Sequence, residues 1–156
     1  MISLNIFAKC PNTGNPKQRM GELLDKKGRS DLAKIMLINI LEEMHNINIS
    51  LKTNLWVYPN IDNEWIKKLS KKYFITLKKQ IGESLCSRMQ NCLLSESALG
   101  GKTLLIGTDI PALSKNKISE AIKTLNNNNI VIGPTYDEGF YLIGIKGQES
   151  AQCLAN

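Results

Sequence analysis

Apolar segments of strand length alternate with segments of helical periodicity along the chain, and this alternation constrains the fold more than any other feature. The predicted strands cover residues 3–8, 53–59, 74–80, 102–107, 129–134 and 140–147, and the predicted helices cover 30–46, 62–73, 84–99 and 114–127. Strands that alternate with helices indicate a parallel sheet joined by right-handed crossovers. We therefore predict a three-layer α/β/α fold with a mostly parallel sheet, forming one domain over residues 1–156.

The last two predicted strands break this rule, because only residues 135–139 separate them. Five residues are too few for a crossover, so these strands either pair antiparallel or lie apart in a mixed sheet. The chain ends soon after the last strand, so we expect 140–147 at or near an exposed side of the sheet. An exposed edge invites pairing with a second copy, and a homodimer is the expected result.

Composition excludes several functional classes. No apolar run approaches the roughly 20 residues that span a membrane, and the first residues do not form a signal peptide, so we expect a cytoplasmic protein. The cysteines are too widely spaced for a finger-type zinc site and are expected to be reduced thiols: Cys10, Cys86, Cys92 and Cys153. The net charge is +6, and its main cluster consists of Lys67, Lys68, Lys71 and Lys72. These lysines fall at helical spacing and indicate a solvated helix face, so we expect no nucleic-acid partner.

An aspartate stands at the end of the buried strand in "LLIGTDIPAL" (104–113). Ligands of open α/β sheets bind outside the carboxyl ends of the strands, which is where Asp109 lies. Pro111 keeps the preceding residue extended and delays the next helix. Asp109 could hold a divalent cation that carries phosphates. The alternative is that it caps the helix, although Ser114 is better placed for that.

A basic loop follows the first strand in "AKCPNTGNPKQRM". We expect Gly14 to leave backbone amides pointing at an anion, while Lys9, Lys17 and Arg19 neutralise its charge. The loop is not a Walker A motif, because Lys17 is followed by Gln18. By itself, a basic loop of this kind is also common on ordinary protein surfaces.

Two acids occupy the turn in "IGPTYDEGFYLIG". Asp137 and Glu138 precede Gly139, which relaxes the backbone. An ordinary polar turn would look the same. The functional interpretation rests on position, since we expect this turn to open on the same edge of the sheet as Asp109.

Four ordered segments resemble a known family. "FAKCPNTGNPKQRM", "QIGESLCSRM" (80–89), "IGTDIPAL" and "GPTYDEGFYLIG" match, in order, the family patterns F-A-K-x-P-x-x-G-x-x-K-T-R-L, Q-x-G-x-x-L-x-x-R-M, I-G-T-D-x-P-x-L and G-P-x-x-D-G-G-Y-Y-L-I-G. The chain thus resembles the bacterial GT-A-like glycosyltransferases of the arsenosugar-biosynthesis type, relatives of nucleotidyltransferases such as phospholactate guanylyltransferase. The resemblance implies a nucleotide-diphospho-sugar transferase fold, transfer from a nucleotide-activated donor to a small acceptor, and a Mg or Mn ion.

The resemblance also implies roles for individual residues. Asp109 would be the metal-binding and catalytic aspartate, and Asp137 would lie on the acceptor side, where it or Glu138 would orient the acceptor or act as its base. The nucleotide-binding residues would be Lys9, Gly14, Lys17 and Arg19 at the phosphates and Gln80, Gly82 and Arg88 near the base or ribose.

The sequence departs from the family pattern at three positions and leaves three hypotheses. Ala112 stands where many relatives have a second acid, Gln18 replaces Thr, and Glu138 replaces Gly. The first hypothesis is a glycosyltransferase that uses a sugar nucleotide. The second is a nucleotidyltransferase that joins a nucleoside triphosphate to a small phosphorylated acceptor. The third, suggested by these departures and the short C-terminal end, is a catalytically weak nucleotide-binding protein.

Overall fold

Six strands build the sheet in the described part of the chain, and most of them follow from short apolar segments of the sequence. The computed structural model describes residues 1–98 and 100–153, without the side chain of Cys153. Its strands are β1 (Ile2–Lys9), β2 (Lys52–Tyr58), β3 (Thr76–Lys79), β4 (Lys102–Ile106), β5 (Ile130–Pro134) and β6 (Phe140–Lys146). Its helices are α1 (Lys26–His45), α2 (Glu64–Lys72), α3 (Leu85–Ser97), α4 (Lys115–Asn127) and α5 (Gln148–Cys153), with a 3-10 turn at Gln18–Met20.

The sheet is mixed and mainly parallel, with strand order β3-β2-β1-β4-β6-β5. β1 pairs in parallel with β2 and β4, whereas β6 runs antiparallel to both β4 and β5. The short 135–139 connection therefore makes an antiparallel hairpin, one of the two arrangements predicted. Residues 140–147 lie near the exposed side of the sheet but not at it, because β6 is the second strand from the edge. The outermost strand on this side is β5.

Each central strand sends alternate side chains to the two faces of the sheet, which follows from the two-residue period of a strand. Leu4 and Ile6 of β1 lie in the larger core, beneath α1, α2 and α4. Phe7 lies in the smaller core with Trp56, beneath α3 and α5. The three-layer α/β/α architecture predicted from the sequence is confirmed.

A buried polar cluster anchors α3 to its face of the sheet. The amide oxygen of Asn5 accepts from Asn54 Nδ2 and Trp56 Nε1, both at 2.9 Å. Glu96 of α3 is fully buried and accepts from Asn54 Nδ2 at 3.1 Å and from the Lys78 ammonium. The half-exposed lysine and the amide supply the donors that a buried carboxylate needs.

Two predicted boundaries are wrong. Helix α1 starts four residues before Ser30, because Asp25 accepts from Gly28 N at 2.7 Å and serves as the N-cap. Not all of its apolar side chains are buried, since Ile35 is 56% exposed. The third strand does not start at residue 74, because Phe74 has φ 53° in the turn that ends α2 and is 90% exposed.

Two further expectations concern cysteines and membranes. Cys10, Cys86 and Cys92 are free thiols, as expected, and the side chain of Cys153 lies outside the described residues. Among the described helices, none has both the length and the apolar character required to cross a membrane.

Candidate functional site

Three loops meet at the carboxyl edge of the parallel strands. They are the basic loop after β1, the segment that carries Asp109 after β4, and the β5–β6 turn. The antiparallel register places Leu142 beside Ile106, and Gly107 N donates to Tyr141 O at 3.3 Å. The hairpin turn therefore opens on the same edge as Asp109, as predicted from its position in the sequence.

Lys17 and Asp109 form an ion pair across this edge. The Lys17 ammonium contacts Asp109 Oδ1 and donates to the carbonyl oxygen of Thr108 at 3.1 Å. The Lys17 side chain is only 8% exposed, while that of Asp109 is 80% exposed. The structure thus brings together the predicted phosphate-binding lysine and the predicted metal-binding aspartate.

Gly14 fits where no larger residue would, and its own amide is not one that could face an anion. Its N–H donates to Cys10 O at 2.8 Å, so that amide is committed within the loop. An added Cβ would lie 2.8 Å from Cys10 N, Cys10 O and Tyr58 O. Close packing of the loop against the ends of β1 and β2 explains the glycine.

Gln80 lies at the same edge and is buried. Its Nε2 donates to Ala8 O at 3.2 Å and to Trp56 O at 2.9 Å. The side-chain amide therefore ties together the carboxyl ends of β1 and β2. This contact fixes the spacing of the two strand ends at the candidate site.

Arg88 packs beside Gly82 and over an aromatic ring. Its guanidinium carbon lies 4.2 Å from the ring centroid of Tyr58, and Nη1 donates to Glu83 O at 3.4 Å. The buried Nε has no hydrogen-bond partner within the described part of the chain. Gly82 has φ 136°, and a Cβ there would lie 2.8 Å from Arg88 N. Cation–π contact and tight backbone packing thus fix Arg88 near the end of β2.

Arg19 of the basic loop lies beside Asp137 of the β5–β6 turn. Its Nη1 is 3.8 Å from Asp137 Oδ2, and the two side chains are 95% and 68% exposed. The Thr135 hydroxyl donates to Asp137 Oδ1 at 2.6 Å. This bond, backbone donors and the Arg19 charge together hold the pKa of Asp137 below its usual value. Glu138 has φ 61°, a left-handed conformation that Gly would adopt more readily.

The oxygen donors at this edge suit a metal that arrives with a ligand. Within the residues that the structure describes, no group of three or more His, Cys, Asp or Glu side chains could hold a metal ion. Asp109 offers a carboxylate and Thr108 a carbonyl oxygen. Mg²⁺ is commonly held by one or two carboxylates together with substrate phosphates. The residues therefore fit a phosphate-bound cation better than a protein-caged one.

Sequence reasoning missed two residues that shape the site, Tyr58 and Glu43. Tyr58 pairs in register with Lys9, which the sequence did identify and which is exposed at the end of β1. Tyr58 ends β2 as Asp109 follows β4, so the same strand-end argument could have found it. Glu43 of α1 accepts from Lys115 N at 3.0 Å and holds the start of α4, which only the tertiary fold reveals.

The fold and the converging loops define an α/β protein with a polar, mixed-charge site at the carboxyl edge of its sheet. The chain belongs to the family described as "Uncharacterized protein conserved in bacteria (DUF2064)", which matches residues 46–156. No curated protein matches the chain.

Solved structures share the fold. A Desulfovibrio desulfuricans protein, to which nucleotide-diphospho-sugar transferase activity has been ascribed, is 24% identical with a TM-score of 0.81, over 96% of this chain and 64% of that one. A Leptospira borgpetersenii cytidylyltransferase is 12% identical with a TM-score of 0.62, over 99% and 62% of the respective chains. The 4-diphosphocytidyl-2C-methyl-D-erythritol synthase of Anaerococcus prevotii is 16% identical with a TM-score of 0.65, over 100% and 76%. The chain spans less than two thirds of the first two proteins.

Proposed function

We propose that this protein transfers a group from a nucleotide-activated donor to a small acceptor, and that the donor is a nucleoside-diphosphate sugar. The observation that carries the proposal is the convergence of Lys17, Asp109 and Asp137 from three loops at one edge of the sheet. The names of the structural neighbours and the resemblance to the arsenosugar-type glycosyltransferases support it.

The residues divide into a donor side and an acceptor side. Lys17, with Lys9 and Arg19, would neutralise the diphosphate, and Tyr58 with Arg88 would flank the base or ribose. Asp109 would hold a divalent cation, which when bound supplies Lewis-acid stabilisation of the leaving diphosphate.

Asp137 would orient the acceptor rather than deprotonate it. Its lowered pKa keeps the carboxylate ionised and able to accept hydrogen bonds from hydroxyl groups. The same lowered pKa makes it a weak general base at neutral pH. Glu138, one residue further along the turn, is the alternative base.

Nucleotidyl transfer is the second candidate, because two of the similar folds carry names of that activity. The two reactions differ in their products. Sugar transfer releases a nucleoside diphosphate, whereas nucleotidyl transfer from a triphosphate releases inorganic diphosphate.

The test measures binding first and products second. Calorimetry with a panel of nucleoside diphosphates, with and without Mn²⁺, should show metal-dependent binding that Asp109→Asn weakens. The charge-matched control Glu120→Gln, at an exposed position on α4, should not weaken it. Incubation with sugar nucleotides and an acceptor panel should then release nucleoside diphosphate. Release of inorganic diphosphate from triphosphates would select nucleotidyl transfer, and binding without any turnover would indicate a nucleotide-binding protein. Equal affinity with and without Mn²⁺, in wild type and Asp109→Asn alike, would remove Asp109 from the site.

A further inference from the structure

The Lys17–Asp109 pair neutralises the carboxylate that the proposed function assigns to a metal. Lys17 is more than nine-tenths buried, and its ammonium contacts both the Asp109 carboxylate and the Thr108 carbonyl oxygen. Asp109 itself remains largely open to solvent. The pair therefore joins the basic loop to the end of β4 while leaving the aspartate approachable.

The backbone of Lys17 is held in an uncommon conformation. Its φ of 53° and ψ of 40° are left-handed, which is unfavourable for a residue with a long side chain. Strained backbone of this kind persists where surrounding contacts hold it, and it concentrates at binding sites. Here the contacts of the ammonium at the end of β4 join the backbone hydrogen bonds of the loop in holding this conformation.

A divalent cation that approached Asp109 alone would meet the ammonium already in place. Two cations on one carboxylate repel each other, and displacing Lys17 would leave a largely buried ammonium with a carbonyl oxygen as its partner. A diphosphate changes this balance, because its oxygens offer the ammonium a new and more highly charged partner.

We propose that Lys17 couples the metal to the nucleotide: Asp109 takes up a divalent cation only when a nucleoside diphosphate draws the Lys17 ammonium away from it. This inference rests on the proposed function and adds an order of events to it. Because coupling between two ligands is reciprocal, the metal must strengthen diphosphate binding by the same factor that the diphosphate strengthens metal binding. Couplings of this kind commonly amount to roughly 5- to 150-fold.

The experiment measures Mn²⁺ affinity by electron paramagnetic resonance of the free ion, which requires no turnover. Wild type, Lys17→Gln and Lys68→Gln are each titrated with Mn²⁺ alone and then with a saturating nucleoside diphosphate from the binding panel. Lys68 is exposed on α2 and provides a control with the same change of charge. Lys17→Met replaces Lys17→Gln if the latter does not fold, as judged by thermal unfolding.

Wild type and Lys68→Gln should bind Mn²⁺ weakly alone and about tenfold or more tightly with the diphosphate. Lys17→Gln should bind Mn²⁺ alone about tenfold more tightly than wild type, gain less from the diphosphate than wild type does, and lose this extra affinity for Mn²⁺ alone when Asp109→Asn is added.

Equal affinity of wild type and folded Lys17→Gln for Mn²⁺ alone would overturn the inference, as would retention of the extra affinity in the double variant. If the protein binds diphosphates but its Mn²⁺ affinity is the same with and without them, the coupling is refuted and the proposed function stands. If the protein binds no nucleoside diphosphate, both the coupling and the proposed function are refuted.

Discussion

At the scale of single residues, position 14 requires glycine because there is no space for a Cβ, and not because of its backbone conformation. Three backbone atoms of Cys10 and Tyr58 lie 2.8 Å from where its Cβ would be. Gly14→Ala should therefore lower the free energy of unfolding by about 1–3 kcal/mol through overpacking. Gly107 provides the control, because a Cβ there has no neighbour within 4 Å among the described residues and its φ is not left-handed. Gly107→Ala should change stability by less than about 1 kcal/mol, with a gain as the expected sign. Equal urea midpoints for the two variants would contradict this explanation of Gly14.

Arg19 provides the test of the basic loop as a phosphate site. Its side chain is 95% exposed and its Nη1 lies 3.8 Å from Asp137 Oδ2, so the guanidinium is available to a ligand at this edge of the sheet. Arg19→Ala should weaken nucleoside diphosphate binding by about 1.5–3 kcal/mol, or roughly ten- to a hundredfold, because a charge-assisted hydrogen bond is lost. Calorimetry with the nucleoside alone should show no change. If nucleoside and diphosphate lost affinity equally, the arginine would be supporting the fold and not binding the charge.

The sequence predicts charged residues of the site better than it predicts their partners. Asp109 and Lys17 could be found because each lies just beyond a recognisable strand, where ligands of α/β sheets bind. The contact of Arg88 with Tyr58 joins residues thirty positions apart and depends on how α3 packs against the sheet. The pattern of either segment alone contains no information on that packing.

At the scale of elements, the starts of α3 and α4 look alike in sequence but are stabilised differently. Ser84 accepts from Ser87 N at 3.0 Å in a reciprocal capping box. Ser114 makes no side-chain cap bond, and Glu43 of α1 accepts from Lys115 N instead. The prediction that residue 114 begins the helix was correct in position, but its hydroxyl does not do the capping.

Paired substitutions separate these two arrangements. Ser84→Ala should cost about 0.5–2 kcal/mol because it removes a working N-cap. Ser114→Ala should cost less than about 0.5 kcal/mol, since no cap bond is lost. Urea denaturation of both variants measures the difference directly. Equal losses would mean that the Ser114 hydroxyl caps α4 in solution.

Errors in the predicted boundaries have physical causes at this same scale. Asp25 and Ser30 are both good cap residues, and the chain uses the earlier one while Ser30 bonds instead to Asn12 Oδ1 at 3.3 Å. Phe74 belongs to an apolar segment that reads as a strand. In the fold it turns out of α2 in a left-handed conformation, and β3 begins only at Thr76.

At the scale of the whole molecule, strand order is what the sequence leaves open. Local rules exclude a parallel crossover within 130–146, because five residues cannot cross the sheet, but they leave open whether this segment forms a hairpin. They do not determine which of its strands pairs with β4. The structure places β6 there, with Leu142 beside Ile106, and leaves β5 outermost. That choice turns the 135–139 turn toward Asp109 and so completes the candidate site.

The outer edge of β5 leads to the last prediction, self-association through this strand. Ile130 and Ile132 are 36% and 53% exposed on a strand whose outer backbone groups face away from β6. An apolar edge strand favours pairing with another chain, so a two-fold dimer joined at β5 is expected. Light scattering over a dilution series should show a dimer that Ile132→Lys disrupts. The control Ile35→Lys, at a 56% exposed position on α1, should leave it intact. Amides 130–133 should exchange with deuterium more slowly at high protein concentration, because pairing covers them. A monomer at every concentration, with exchange at 130–133 independent of concentration, would show that β5 remains a free edge.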